Sequence, residues 1–222
     1  MHRYFRSISL ACAVAVFAAP VSLKQASAHP HVFIDGAVDF IVDDAGALTG
    51  LSVTWKYDRF ETLYVLTSIG IISAPDGSLS DKDKQTLIRN ESDWPDSFDG
   101  AAHLTIDGDP VVLSGPLDLD AVLEDGHLTV RYHRDLTRPA TISGRDVQVA
   151  FYERTYYYAF SVAEPPEIIG SMDDCMIDVT PFDATAEDRT MQATLAKLSR
   201  EETPEDTNVG ALFADRIALQ CG

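Results

Sequence analysis

Positive charge is scarce in this sequence. Its 222 residues carry 17 Lys and Arg against 35 Asp and Glu, a formal net charge of −18. A surface so acidic repels nucleic acid and anionic lipid and gathers cations, so polyanionic partners are excluded. Cysteine is nearly absent too, with three in the chain. No Cys-x-x-Cys cluster is present, which argues against a thiolate zinc module or a dithiol redox motif. After residue 28 no apolar run approaches the eighteen or so residues that a membrane-spanning helix needs. There is no glycine-rich phosphate loop, no Ser/His/Asp order, no paired catalytic carboxylates and no internal repeat. The expectation is a protein that binds, not an enzyme.

The first 28 residues read as a leader. Arg3 and Arg6 precede an apolar stretch from Ile8 to Ala19, and Ala26-Ser27-Ala28 offers the small residues a signal peptidase reads. Ser9-Leu10-Ala11 before Cys12 is a poor lipid-attachment signal. Residues 1–28 hold Arg3, Arg6 and Lys24 and no acid, so their removal leaves the remainder more negative still. The expectation is an exported, periplasmic protein not inserted in a membrane, with one domain over residues 29–222. Two cysteines remain, Cys175 and Cys221. In an oxidising compartment an even pair favours one disulfide, with a thiolate metal pair as the alternative.

His31 to Val42 alternates and is rich in Val, Ile and Phe, which predicts a strand. Asp43-Asp44-Ala45-Gly46 is a turn, and Leu48 to Tyr57 returns as a hairpin. Asp58 stands where a helix cap would, before Phe60, Leu63, Tyr64 and Leu66 at helical spacing. Ser80-Asp81-Lys82-Asp83 starts a second helix towards Asn90. Strands are expected at 102–107, 110–114, 122–123, 128–132, 147–152 and 156–162. A helix follows over 184–200, then a polar linker at 201–207, a short helix at 210–214 and a last strand into Cys221. The sum is an α+β fold, mostly antiparallel and sandwich-like, with helices inserted after the first hairpin and near the C-terminus.

Cutting after Ala28 would expose His29-Pro30-His31. A terminal histidine offers two donors, its α-amino nitrogen and its ring, and both are available near neutral pH. In a strand His31 would face the same side as His29, roughly 6–7 Å away. Imidazole and amine suit nickel, cobalt, zinc and copper and disfavour calcium and magnesium. Pro30 has no amide proton, so the square-planar mode through deprotonated amides is blocked. Asp58 and Glu153 are candidate oxygen ligands, and Asp35 is a more remote one. A frayed start that binds adventitiously is the plain alternative. His103 and His127 are read as surface residues, and basic neighbours remove His133. Residues 73–83 lack the alternating acids of a calcium loop and are read as a turn and cap. The aromatic run would place Tyr156, Tyr158 and Phe160 on one strand face, as sheet core or as a stacking surface for a sugar or peptide.

These residues resemble an uncharacterised periplasmic group, domain-of-unknown-function family 1007, often labelled a periplasmic component of an ABC-type transport system. The matching pieces are His29-Pro30-His31-Val32-Phe33-Ile34-Asp35, Leu51 to Asp58, Tyr152 to Phe160, and Leu212-Phe213-Ala214-Asp215-Arg216 through Cys221. Where the family has Asp-Pro-Thr-Tyr, this chain has Glu153-Arg154-Thr155-Tyr156. The resemblance implies genes near transporters of nickel, cobalt or other divalent metals. The leading expectation is therefore a periplasmic accessory that exchanges a divalent transition-metal ion with a membrane transporter. One rival is a copper-dependent oxidative enzyme, and the other is a binding module with no metal.

Overall fold

A computed structural model describes residues 30–74, 77–95, 98–172, 174–199, 202 and 204–222. The proposed leader and His29 lie outside them. The first hairpin forms as expected: β1 (Val32–Val42) pairs antiparallel with β2 (Ala47–Tyr57) around the Asp43 turn, whose carboxylate accepts from the Ala45 and Ala47 amides. Asp58 caps α1 (Arg59–Ser68), and Ser80 caps α2 (Asp81–Ser92). Strands β3 (Ala102–Ile106), β4 (Asp109–Pro110), β5 (Leu117–Glu124), β6 (His127–Thr141), β7 (Val147–Phe151) and β8 (Tyr158–Val162) follow. The chain ends with β9 (Ile168–Ile169), β10 (Cys175–Thr180), α3 (Ala186–Leu195), a 3₁₀ turn at Val209–Phe213 and β11 (Asp215–Cys221).

These strands make two sheets among the described residues, one ordered β5-β6-β2-β1-β8 with β9 beside β1, the other β10-β11-β7-β3-β4. Most pairs are antiparallel, but β8 and β9 lie parallel to β1. The fold is α+β, with one continuous core drawing Val38, Phe40, Val53 and Tyr132 from the first sheet and Leu104, Val149, Ile217 and Leu219 from the second. Gly36 marks how closely the sheets approach. A Cβ there would fall 2.4 Å from the Phe151 ring of the facing sheet. Asp215 joins the sheets by hydrogen bonds: its buried carboxylate accepts from the amides of Val162 and Phe182, both at 2.8 Å.

Several expectations need correcting. The strand expected at 110–114 shrinks to β4 and a single bridge between Leu113 and Leu136. Conversely, β5 and β6 run well beyond the short hairpin expected, and β10 was not foreseen. The helix expected over 184–200 is α3 alone. Tyr156 is not in a strand: with φ +60 it sits in a turn, and its ring packs 4.2 Å from Phe213 in a separate small cluster. Cys175 and Cys221 are disulfide-bonded, and they face each other directly across β10 and β11.

Candidate functional site

One end of the first sheet gathers most of the residues singled out in the sequence. The register sets Val32 of β1 opposite Tyr158 of β8, and Ile34 opposite Tyr57 of β2. His31 therefore enters between the end of β2 and the start of β8. Its amide donates to the Tyr157 carbonyl at 2.9 Å, and the two rings lie 4.7 Å apart. Before β8 the chain makes a turn organised by Glu153. That carboxylate accepts from the Thr155 amide at 2.8 Å, and from the Thr155 hydroxyl and the Tyr157 amide at 2.9 Å. Gly210 braces the turn from outside: its amide donates to the Arg154 carbonyl, and a Cβ there would fall 1.9 Å from the Glu153 carbonyl oxygen. No side chain fits at 210 without moving backbone.

Asp58, exposed at the end of β2, accepts from the Glu61 amide at 2.7 Å as the helix cap. Asp35, farther along β1, accepts from the Ser161 hydroxyl at 3.2 Å. His31, Asp58 and Glu153 thus share one end of the sheet, and Glu153 is linked to His31 through Tyr157. Among the described residues, however, no three His, Cys, Asp or Glu side chains group closely enough to hold a metal ion. Sequence reasoning missed Glu61, which α1 buries to 6% exposure beside the same strand ends. Its signal was the polar pair Glu61-Thr62, which the helix turns inward while Phe60, Leu63 and Tyr64 stay exposed. The other histidines are more enclosed than expected. His103 donates from Nε2 to the Tyr152 carbonyl at 3.0 Å and stacks on the Tyr152 ring, and His127 donates from Nδ1 to the Tyr57 carbonyl at 3.0 Å.

Beside this end opens a cavity of about 550 Å³, walled by Trp55, Tyr57, Trp94, Phe98, Tyr158 and Phe160. The indoles of Trp55 and Trp94 lie nearly parallel with centroids 6.2 Å apart, and Phe98 meets both edge-on. Buried Arg134 braces Trp94, its guanidinium 5.5 Å from the ring. It donates to the carbonyls of Asp99, Ala102 and Ser114, which fixes the loop carrying these aromatics.

Polar groups punctuate the aromatic wall. Glu91, at the end of α2, accepts from the Tyr57 hydroxyl at 3.0 Å, and its backbone carbonyl accepts from the Trp94 indole at 2.8 Å. Burial raises the Glu91 carboxyl above its usual range, against a lowering by the Tyr57 hydrogen bond, and Glu61 adds to the rise. Burial likewise pushes up the hydroxyls of Tyr57 and Tyr158. Arg154 is held by Asp99 at 2.5 Å. The Trp55 indole nitrogen is buried with no acceptor among the described residues. Trp94, Phe98, Glu91 and Asp99 were not foreseen as site residues. They sit at a helix end and in an irregular loop, where no period announces a shared direction.

Fold and site define an α+β two-sheet protein with an aromatic, acid-lined cavity at one sheet end. The chain belongs to the family described as Protein of unknown function (DUF1007), whose profile matches residues 12–221. It is similar to an uncharacterized protein of Haemophilus influenzae, 23% identical over 196 residues, covering 87% of this chain and 91% of that one. No solved structure matches.

Proposed function

We propose that this chain is an exported periplasmic accessory of a divalent-metal transport system, carrying nickel, cobalt, zinc or copper on its processed N-terminus. The observation that supports this reading is the anchoring of His31. Its backbone is pinned to Tyr157 at the sheet end that also carries Glu153, Asp58 and buried Glu61. The described residues alone do not make a three-ligand group. In this reading the missing donors are the amine and ring of His29, which two residues of chain keep within roughly 7 Å of His31. Asp58 and Glu153 already accept backbone hydrogen bonds, so they would add charge or a remaining lone pair. Glu61 is a third carboxylate at the same end. Such a donor set suits a borderline transition metal.

A docking face for a membrane transporter is consistent with α1, whose Phe60 and Leu63 are 77% and 61% exposed. No helix among the described residues is long and apolar enough to cross a membrane.

The test compares metal affinity of the chain starting at His29 with one carrying a single extra N-terminal residue. An extension keeps both imidazoles and removes the terminal amine as a chelating partner. Binding weaker by about tenfold or more is expected, the loss of one good ligand. Equal affinity would reject the terminal chelate. The second reading, a binding module that uses no metal, is favoured by the aromatic cavity.

A further inference from the structure

Among the described residues the lining of the cavity carries more negative than positive charge, with the buried Arg134 guanidinium beside Trp94 as a further cation nearby. Three carboxylates line it, Glu91, Asp99 and Glu153, with one guanidinium, Arg154. Arg154 is committed to Asp99, and Glu153 to the amides and hydroxyl of its own turn. Glu91 has the Tyr57 hydroxyl as partner, and among the described residues no cation pairs with it. The aromatic side chains of Trp55, Trp94, Phe98 and Tyr158 line the same cavity. Aromatic faces carry negative potential and attract cations, most strongly when water is displaced. A hydrated metal ion gains little there, because rings offer no lone pairs to replace its water shell. An alkylammonium group, weakly hydrated and apolar at its rim, satisfies the rings and the carboxylate together. A volume of about 550 Å³ lies in the range of small-molecule sites.

We propose that this cavity binds a small organic cation, its alkylated ammonium group set against Trp55 and Trp94 and balanced by Glu91. This site adjoins the proposed N-terminal metal site, with Glu153 in its wall, but its argument stands without a metal. The apolar remainder of the ligand lies along Phe98 and Phe160. The overall acidity of the protein, −18 in the full chain, draws such ligands toward the surface before they enter.

The chain has only two tryptophans, and both line the cavity, so intrinsic indole fluorescence reports this site directly. The experiment titrates the protein, with chelator present throughout, with choline and with its neutral carbon isostere 3,3-dimethylbutan-1-ol. The expected result is a saturable fluorescence change with choline at an affinity about tenfold or more above that of the isostere, a difference of about 1.4 kcal/mol. Glu91→Gln keeps the shape and removes the charge, so it should erase most of that preference while leaving isostere binding unchanged. His31→Ala should change neither titration, which separates a failure here from a failure of the metal reading. Equal affinities for the two probes would overturn the proposal in favour of a plain apolar cavity. So would no response to choline up to about 10 mM, where a millimolar site would be mostly filled.

Discussion

At the scale of single residues, the carboxylates divide by what they already hold. Asp58 satisfies a helix N-terminus, Asp215 ties two sheets, and Glu153 builds the turn that presents Tyr157 and Tyr158. Glu91 is different, because burial works against its charge. An acid whose folded-state pKa is raised stabilises the fold most when protonated. That contribution is full below the unfolded pKa, about 4.3 for glutamate, and is lost as pH rises through the raised value. Glu91→Gln imitates the neutral acid and still accepts from Tyr57. Melting temperatures of the variant and the parent should therefore lie close together at about pH 4, with the variant gaining ground by about pH 7. A variant that loses ground as pH rises would show that the ionised carboxylate is a net stabiliser in its pocket with Tyr57 and Glu61.

Among the elements, those with strong local signals were the most legible. The Asp43 turn, the Asp58 and Ser80 caps and the early alternation of β1 are short-range features, and each formed where the residues indicated. The pairing of β8 with β1 was not legible, because a parallel partner some 125 residues away leaves no local period. Tyr156 shows the same limit. Its place in an alternating aromatic run suggested a strand face, but the Glu153 turn takes it out with a positive φ. Strand β10 also escaped notice, since its alternating residues are only half covered and its main support is β11. The disulfide compensates at that edge by closing a separation of 46 residues. In the chain-entropy account such a closure is worth about 4 kcal/mol. Cys175→Ala with Cys221→Ala should lower unfolding stability in denaturant by about that amount, with β10 the first element to lose amide protection in hydrogen exchange. A loss under about 1 kcal/mol would mean that β10 holds its place through the ladder alone.

For the molecule as a whole, the first sheet provides the frame and its open end provides the chemistry. Chain entry at His31, the cap of α1, the Glu153 turn and the aromatic cavity all meet where β1, β2 and β8 begin or end. Half of that convergence was visible beforehand, because His31, Asp58, Glu153 and Tyr158 belong to compact motifs. Glu61, Glu91, Trp94 and Phe98 were not, since only the folding of α1, α2 and the following loop brings them to the same end. Phe60 and Leu63 are exposed on α1, the helix that Asp58 caps.

The most direct test of metal carriage is a calorimetric titration of the chain beginning at His29 with nickel, cobalt, zinc and copper, beside a His29→Ala, His31→Ala double variant. The account predicts one tightly bound ion per chain for at least one of these metals, and its loss in the double variant. Equal binding in both proteins, or none in either, would contradict it.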